Sequence, residues 1–455
     1  MERFAATDLL NWMKSFGRKP LVLRGARQVG KTWLVRDLAR RLDAKLVELN
    51  FEHDPAWAEC FVDNSPQRIL ERVGLRLGYR VEPSSSLLFL DEIQAFKGGL
   101  AKLRWFAEQL PELPVAAAGS LLEFALGDRE HGMPVGRVGF YNLSPLGFDE
   151  YLLAHGQDLL LERLSKWRPG ATLDSVVHEQ GSLWMERFAM TGGMPSIVAL
   201  AVEGSTSESI RSAQRQLLAT YRADFAKYSG RMTTDILDKV LVAAAHQLGQ
   251  KFVYAKVAAD TRHQQVRDAL ELLIKARVCQ SVTFSAGNGI PLAAEAKDKF
   301  RKVALLDVGM LHALVDTPAR PSFPRLDDLV PALRARIAEQ LTVQQLENLG
   351  PRDGDPARLF YWQREGGRPG EIDHLLQMHG RVIPLELKSG SAGSMKSLHQ
   401  FAFDKRLDLA VRVDANRPSV MLVDVKTTQG NAVRYRLLSL PRYLLFNLEA
   451  ILAGM

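Results

Sequence analysis

Eight consecutive residues near the amino terminus have the composition and spacing of a phosphate-binding loop. They lie between an apolar run at residues 21–23 and a stretch with helical spacing that begins at Trp33. Glycines let backbone N–H groups turn toward phosphate oxygens, and the helix that follows adds its N-terminal dipole. A chance match in a glycine-bearing turn is the alternative, which both flanks disfavour. The residues predicted to contact a nucleotide here are Gly25, Ala26, Arg27, Gln28, Val29, Gly30, Lys31, Thr32 and Trp33.

An acidic pair ends a second apolar run, at residues 86–90. Such a run is typical of a strand buried on both faces, whose carboxyl end faces the ligand crevice of an open α/β sheet. We expect Lys31 to meet the β- and γ-phosphates, and Thr32 and Asp91 to hold Mg²⁺. Glu92 would then activate the attacking water. The pair lies 60 residues after Lys31 (91 − 31), and the two motifs together predict nucleoside triphosphate hydrolysis, with ATP as the expected substrate.

Three further side chains are candidates for the same site. Ser120 follows a strand-like segment at residues 114–118 and would either sense the γ-phosphate or cap the helix that begins near residue 121. Arg129 and Arg137 are candidates for stabilising charge in the transition state, although most arginines in such loops are solvated.

Composition limits the classes of protein to which the chain can belong. Its 455 residues exceed one ordinary core and predict two to four domains, and 46% hydrophobic with 24% charged residues is typical of a globular protein in water. Cys60 and Cys279 have no metal-like spacing, which fits a reducing cytoplasm. No run reaches the roughly 20 apolar residues that span a bilayer, and the first residues do not resemble a signal peptide, so we expect no membrane partner. The net charge of +7 mildly favours a polyanionic partner.

The predicted fold class is α/β, in four parts. Residues 1–147 form a P-loop domain with a parallel sheet, and residues 148–230 form a helical lid. Residues 231–318 are predicted to form a winged helix, and residues 319–455 are predicted to form a further α/β domain. The Gly-Gly-Met-Pro turn that ends at Pro195 is either an ordinary interhelical turn or a hinge that touches the base or ribose.

The winged-helix segment has two interpretations. Its lysines and arginines suit phosphate contacts, as in a DNA-reading helix. The alternative, a packing module, is the more common role of winged helices in multidomain ATPases and is the one we favour.

A second acidic constellation lies in the last third of the chain. Glu386 and Lys388 are two residues apart on one predicted strand and share a face, and Asp373 ends an earlier strand, 13 residues before Glu386 (386 − 373). Two carboxylates can bind Mg²⁺, and a lysine beside them can orient or deprotonate water, which is the chemistry of phosphodiester cleavage. Glu339, on an amphipathic segment, would add another acid. The alternative is a half-solvated strand face with one Glu–Lys pair.

In this order, the motifs resemble a family of prokaryotic AAA-type ATPases with a winged-helix middle and a C-terminal restriction-endonuclease-like domain of unknown function. Besides the two acidic motifs and the P-loop, the matching segments are residues 119–120, 134–137, 143–146, 192–195, 302–311, 388–390 and 397–398. The resemblance implies ATP binding, slow hydrolysis and lid motions coupled to the distal domain. One departure concerns Glu339, because an Arg-Ala-Arg segment stands where this family has a glycine.

Two functions from different classes remain. In the first, ATP drives a switch whose C-terminal domain binds or cuts DNA or RNA. In the second, a regulatory ATP-binding protein has a catalytically silent C-terminal domain that binds another protein. A small-molecule kinase is disfavoured, because Asp91 and Glu92 suit water activation and no acceptor pocket is recognisable. The oligomeric state is open.

Overall fold

The computed structural model describes residues 1–119, 136–228, 232–258, 261–317, 326–364, 366, 370–388 and 395–455. These residues form two compact units. The first comprises residues 1–145, 275–277 and 351–356, and the second comprises residues 146–274, 278–350 and 357–455.

The first unit contains a parallel sheet of five strands. These are β1 (Leu21–Arg24), β2 (Lys45–Asn50), β3 (Ser86–Asp91), β4 (Val115–Ala118) and β5 (Gly139–Asn142). They lie in the order β2-β3-β4-β1-β5, and every neighbouring pair is parallel. All residues of β1, β3 and β4 are buried, which explains why these strands appear in the sequence as almost continuous apolar runs. The predicted parallel sheet is confirmed.

Helices join these strands, as parallel connections require. The connecting helices are α2 (Lys31–Arg41), α3 (Pro66–Leu77) and α4 (Gly99–Gln109), while α1 (Phe4–Lys14) precedes β1. The boundaries of α3 follow from local chemistry. The Ser65 hydroxyl accepts a hydrogen bond from the Arg68 N–H, Pro66 occupies the first turn, and Gly78 ends the helix with a positive φ. The strand–helix alternation brings the carboxyl ends of β1, β2 and β3 to one edge of the sheet.

The second unit begins with helices, and its later helices alternate along the chain with the strands of one sheet. Its helices are α5 (Phe148–Ala154), α6 (Asp158–Lys166), α7 (Ser175–Thr191), α8 (Pro195–Val202), α9 (Ser207–Tyr228), α10 (Thr234–His246), α11 (His263–Lys275), α12 (Val308–Leu314), α13 (Pro331–Asn348), α14 (Lys396–Asp404) and α15 (Leu448–Leu452). The predicted helical character of the region after the parallel sheet is confirmed.

Eight strands of the second unit form one mixed sheet. They are β6 (Cys279–Ser285), β7 (Ala296–Leu305), β8 (Leu359–Gln363), β9 (Glu371–Met378), β10 (Arg381–Leu387), β11 (Leu409–Asp414), β12 (Ser419–Lys426) and β13 (Ala432–Pro441). Their order is β12-β13-β11-β10-β9-β8-β6-β7. The β9–β10 hairpin is antiparallel and pairs His374 with Leu385, which sets the register of the second acidic constellation.

The structure differs from the sequence interpretation at the predicted winged helix. Strands β6 and β7 form an antiparallel hairpin, as the wing of a winged helix would, but β6 also pairs in parallel with β8, for example Thr283 with Phe360. The hairpin is therefore part of the same sheet as the C-terminal strands. Its sequence did not reveal this because the pairing partner lies far along the chain, and an edge hairpin of a large sheet has the same alternation as a wing.

Candidate functional site

The phosphate-binding loop connects β1 to α2 in the first unit. Gly25 has φ +147°, and a Cβ there would lie 2.3 Å from the Leu143 carbonyl oxygen, so a side chain has no room. Gly30 caps α2 in the left-handed region. Val29 is fully buried, which leaves its backbone as the part of the residue suited to a ligand. The loop therefore has the strand–turn–helix context that the motif requires.

Lys31 opens α2 and is buried. Its Nζ donates hydrogen bonds to the carbonyl oxygens of Gly25 and Ala26, both at 2.8 Å. Burial lowers the Lys31 pKa to about 8, and the carboxylates of Glu92 and Asp91 only partly offset that effect. Within the described residues, the ammonium is thus held by neutral acceptors at the loop and by no carboxylate directly, and an anion arriving there would favour its charged form.

Asp91 lies at the carboxyl end of β3, among polar groups from two neighbouring elements. The Thr32 hydroxyl donates to its Oδ2 at 3.2 Å, and the Asn50 amide donates to the same oxygen at 3.1 Å. Burial, followed by the charge of Glu92, raises the Asp91 pKa. A hydroxyl and a carboxylate at this distance are the oxygen ligands that Mg²⁺ prefers, so these residues fit the predicted ion.

Glu92 occupies an uncommon backbone conformation directly after the strand. Its φ of 49° and ψ of 45° lie in the left-handed region, which is rarely adopted by residues other than glycine, asparagine and aspartate. The Gln94 amide donates to its Oε2 at 2.5 Å. Such local strain persists only where surrounding structure enforces it and is frequent at functional sites.

The remaining nucleotide candidates have different surroundings. Trp33 is 40% exposed. The Arg137 guanidinium pairs with Glu108 at 3.0 Å and remains largely exposed. Ser120 and Arg129 lie outside the described residues. The role of each in nucleotide binding stays a prediction.

The glycine turn of the second unit is anchored by a buried aspartate. The Gly193 N–H donates to Asp307 Oδ2 at 2.7 Å, and Gln344 donates to the same oxygen at 2.7 Å. A Cβ at Gly192, where φ is +81°, would lie 2.1 Å from Asp307 Oδ1. Burial raises the Asp307 pKa, although these donors oppose it. Pro195 begins α8 directly after the turn, and its contact with a nucleotide stays a prediction.

Three predicted residues of the C-terminal constellation lie together in the second unit. The prediction that Asp373 ends a strand is wrong, because β9 begins at Glu371 and continues to Met378. Asp373 accepts a hydrogen bond from the Leu387 N–H at 2.8 Å, which ties it to the end of β10. Lys388 donates to Glu386 at 2.9 Å. Burial raises the Glu386 pKa, and the charge of Asp373 adds to the effect while Lys388 opposes it.

Two residues from other elements complete this acidic cluster. Glu339 on α13 is 7% exposed, and burial raises its pKa. Lys302 on β7 is 2% exposed, and its Nζ contacts Glu371 and lies 3.8 Å from Asp373 Oδ1 and 3.9 Å from Glu339 Oε1. Burial acts to lower the Lys302 pKa, but these carboxylates outweigh it and hold the pKa above its ordinary value.

The cluster borders a cleft of about 350 Å³, whose lining includes Gly249, Arg336, Glu339, Asp373 and Lys388. His374 lies behind it, with Nε2 3.5 Å from Glu339 Oε1, and burial lowers the His374 pKa to about 3. The imidazole is therefore neutral. Among the described residues, no group of three histidine, cysteine or acidic side chains has an arrangement that would hold a metal ion.

Sequence reasoning missed several of these residues. Asn50 ends β2 as Asp91 ends β3, so the strand-end signal that identified the aspartate applied to it as well. Glu371 precedes Asp373 by two residues and shares its strand face by the same alternation rule. Lys302 opens the matching segment 302–311, but no role was predicted for it or for His374, because both depend on contacts between distant elements.

Three family models match separate parts of the chain. Residues 17–152 match a family described as an AAA domain. Residues 183–320 match a domain of unknown function (DUF8612), and residues 334–434 match another (DUF4143). The first match makes this part of the chain similar to nucleotide-binding AAA domains, while the other two assign no activity.

Among solved structures, similarity is low. The Orc1 protein of Aeropyrum pernix, solved in complex with DNA, is 16% identical, with 69% of this chain and 91% of that chain covered and a TM-score of 0.28. A STAND protein with a tetratricopeptide repeat sensor from Pyrococcus horikoshii is 12% identical, with 77% and 46% covered and a TM-score of 0.26. Cdc6p from Pyrobaculum aerophilum is 13% identical, with 61% and 86% covered and a TM-score of 0.23.

No curated protein matches the chain. Within the described parts of the chain, every helix is too short or too polar to cross a membrane.

Proposed function

We propose that the chain is an ATP-dependent switch that binds Mg·ATP at the loop of residues 25–32 and hydrolyses it slowly. One observation carries the proposal. The Thr32 hydroxyl and the Asp91 carboxylate meet at 3.2 Å, next to a buried lysine at the start of a helix. A buried ammonium at a helix N-terminus, with a hydroxyl and a buried carboxylate beside it, suits a phosphate group and its metal ion.

The residues have distinct roles in this proposal. Lys31 pairs with the β- and γ-phosphates, and the backbone of residues 25–30 surrounds the remaining phosphate oxygens. Thr32 and Asp91 hold the ion, which when bound neutralises charge on the phosphates. Glu92 accepts a proton from the attacking water, and the Gln94 amide positions its carboxylate.

Replacement of the general base tests hydrolysis separately from binding. Glu92→Gln keeps the shape of the side chain but cannot accept a proton, so ATP turnover should fall by about 10²–10⁴-fold while Mg·ATP still binds. Phosphate release and binding of a fluorescent ATP analogue are the two readouts. Glu59→Gln, an exposed change in the same unit, should behave as the unmodified protein. Lost binding with turnover preserved would contradict the assigned role.

For the second unit, we propose a restriction-endonuclease-like domain whose Asp373 and Glu386 hold a divalent cation beside Lys388. The observation in favour is that Asp373, Glu386 and Lys388 share one cluster at the end of the β9–β10 hairpin. The competing proposal is a silent protein-binding module, favoured by the absence of a three-residue metal group among the described residues.

A nicking assay separates these two proposals. Supercoiled DNA and a single-stranded RNA are incubated with the full chain and Mg²⁺ or Mn²⁺, with and without ATP. Asp373→Ala should abolish metal-dependent cleavage and leave ATP hydrolysis intact, because the two sites lie in different units. Asp424→Ala, an exposed change on β12, is the matched control. Full cleavage by Asp373→Ala would contradict the role of Asp373 as a metal ligand, and no cleavage by the unmodified protein favours the binding module.

A further inference from the structure

A lysine occupies the centre of the C-terminal acidic cluster. Lys302 lies on β7, which β6 and β8 separate from β9, the strand of Asp373. Its side chain is 2% exposed. Three carboxylates from two other elements surround its Nζ: Glu371 in direct contact, Asp373 at 3.8 Å and Glu339 at 3.9 Å. Carboxylates at these distances compensate the charge of this deeply buried lysine.

Each carboxylate of the cluster therefore already has a positively charged neighbour. Lys302 forms ion pairs with Glu339, Glu371 and Asp373. Lys388 pairs with Glu386 at 2.9 Å. A divalent cation that binds Asp373 or Glu339 competes with the Lys302 ammonium, which lies 3.8 Å from the first carboxylate and 3.9 Å from the second.

The cluster nevertheless offers an oxygen to a ligand. Glu339 is one of the residues that line the cleft, and its side chain is only 10% exposed. Its Oε1 is buried and accepts no hydrogen bond within the described chain. A buried carboxylate oxygen without a donor is costly unless an ion or water engages it. The site thus combines an oxygen suited to a cation with a lysine that competes for the same carboxylates.

We propose that Lys302 is a built-in counter-ion of the acidic cluster and that its ammonium lowers the affinity of the cluster for divalent cations. The inference rests on the proposed metal site of Asp373 and Glu386. It assigns Lys302 a regulatory role: the cluster binds a divalent cation tightly only when the ammonium is removed or displaced from its three carboxylates. Charges at such distances interact strongly in a partly buried site, so the lysine should matter more than any exposed basic residue.

Binding of Mn²⁺ to the full chain without nucleotide tests this role. The free ion is counted by its electron paramagnetic resonance signal, a readout independent of catalysis. Lys302→Met should bind Mn²⁺ at least about tenfold more tightly than the unmodified protein. Lys299→Met, an exposed change on the same strand, should not alter the affinity. Lys302→Met leaves three carboxylates without their cation, and the single variant could therefore fail to fold. In that case the double variant Lys302→Met/Glu371→Gln replaces it, and we expect the same increase in Mn²⁺ affinity.

The outcomes separate this inference from the proposed metal site. Binding that Asp373→Asn removes and that Lys302→Met tightens supports both. Binding that Asp373→Asn removes but that neither Lys302 variant tightens overturns the counter-ion role and leaves the metal site standing. Absence of saturable Mn²⁺ binding in every variant overturns the metal site and the counter-ion role with it.

Discussion

Two buried lysines illustrate opposite ways to hold a charge inside this protein. Lys31 donates to two neutral carbonyl oxygens, and burial lowers its pKa to about 8. Lys302 lies among three carboxylates, which hold its pKa above the ordinary value against the effect of burial. The first ammonium is under-compensated and suited to an incoming anion. The second is fully compensated within the fold.

Asp307 provides a third solution, in which hydrogen-bond donors replace a counter-charge. It accepts from the N–H groups of Gly193 and Gly309 and from Gln344. The side chain holds the glycine turn, the start of α12 and α13 together. The comparison shows that burial alone does not identify a functional charge, and that the nature of the partner does.

The largest expected effect is on stability. Lys302→Met should lower the free energy of unfolding by about 3–5 kcal/mol, because it leaves carboxylates buried without their cation. Lys31→Met should leave that free energy within about 1 kcal/mol or raise it, because a poorly compensated charge is removed. Urea unfolding at neutral pH measures both. An equal decrease in the free energy of unfolding in both variants would contradict the proposed difference in charge compensation between the two lysines.

A smaller loss is expected at the aspartate. Asp307→Asn retains the shape but turns one acceptor oxygen into a donor facing other donors, at a cost of about 2–3 kcal/mol. Asp327→Asn, an exposed position, is the control and should change stability by less than about 0.5 kcal/mol. If Asp307→Asn unfolds at the same urea concentration as the control, the turn does not depend on the carboxylate.

The pH dependence of ATP binding is the smallest effect and concerns Lys31 alone. Only the ammonium pairs with phosphate, and phosphate favours it, so the bound state keeps a proton that the free state loses above its pKa of about 8. Affinity should thus be flat below about pH 8 and fall by up to tenfold for each pH unit above it. Titration with a fluorescent ATP analogue between about pH 7.5 and pH 9.5 tests this. Constant affinity over that range would mean that Lys31 titrates higher.

Sequence patterns predicted the first site far better than the second. The residues at 25–32, 91 and 92 are contiguous in two short motifs, and parallel strands bring strand ends to one edge without further information. The β9–β10 hairpin likewise placed Asp373 near Glu386. The position of Lys302 beside these carboxylates could not be predicted from the sequence, because β6 and β8 separate its strand from β9 in the sheet order. Asp307 lies within the matching segment 302–311, but its role depends on Gly193, which is 114 residues away in the sequence.

The central claim, that residues 25–32 bind ATP through a buried lysine, is tested most directly by calorimetric titration of Mg·ATP into Lys31→Ala. The account predicts at least about a hundredfold loss of affinity, because charge-assisted hydrogen bonds to the phosphates disappear. Lys45→Ala, an exposed lysine at the opposite end of the parallel sheet, should bind as the unmodified protein does. Unchanged affinity in Lys31→Ala would contradict the account and place the nucleotide site elsewhere.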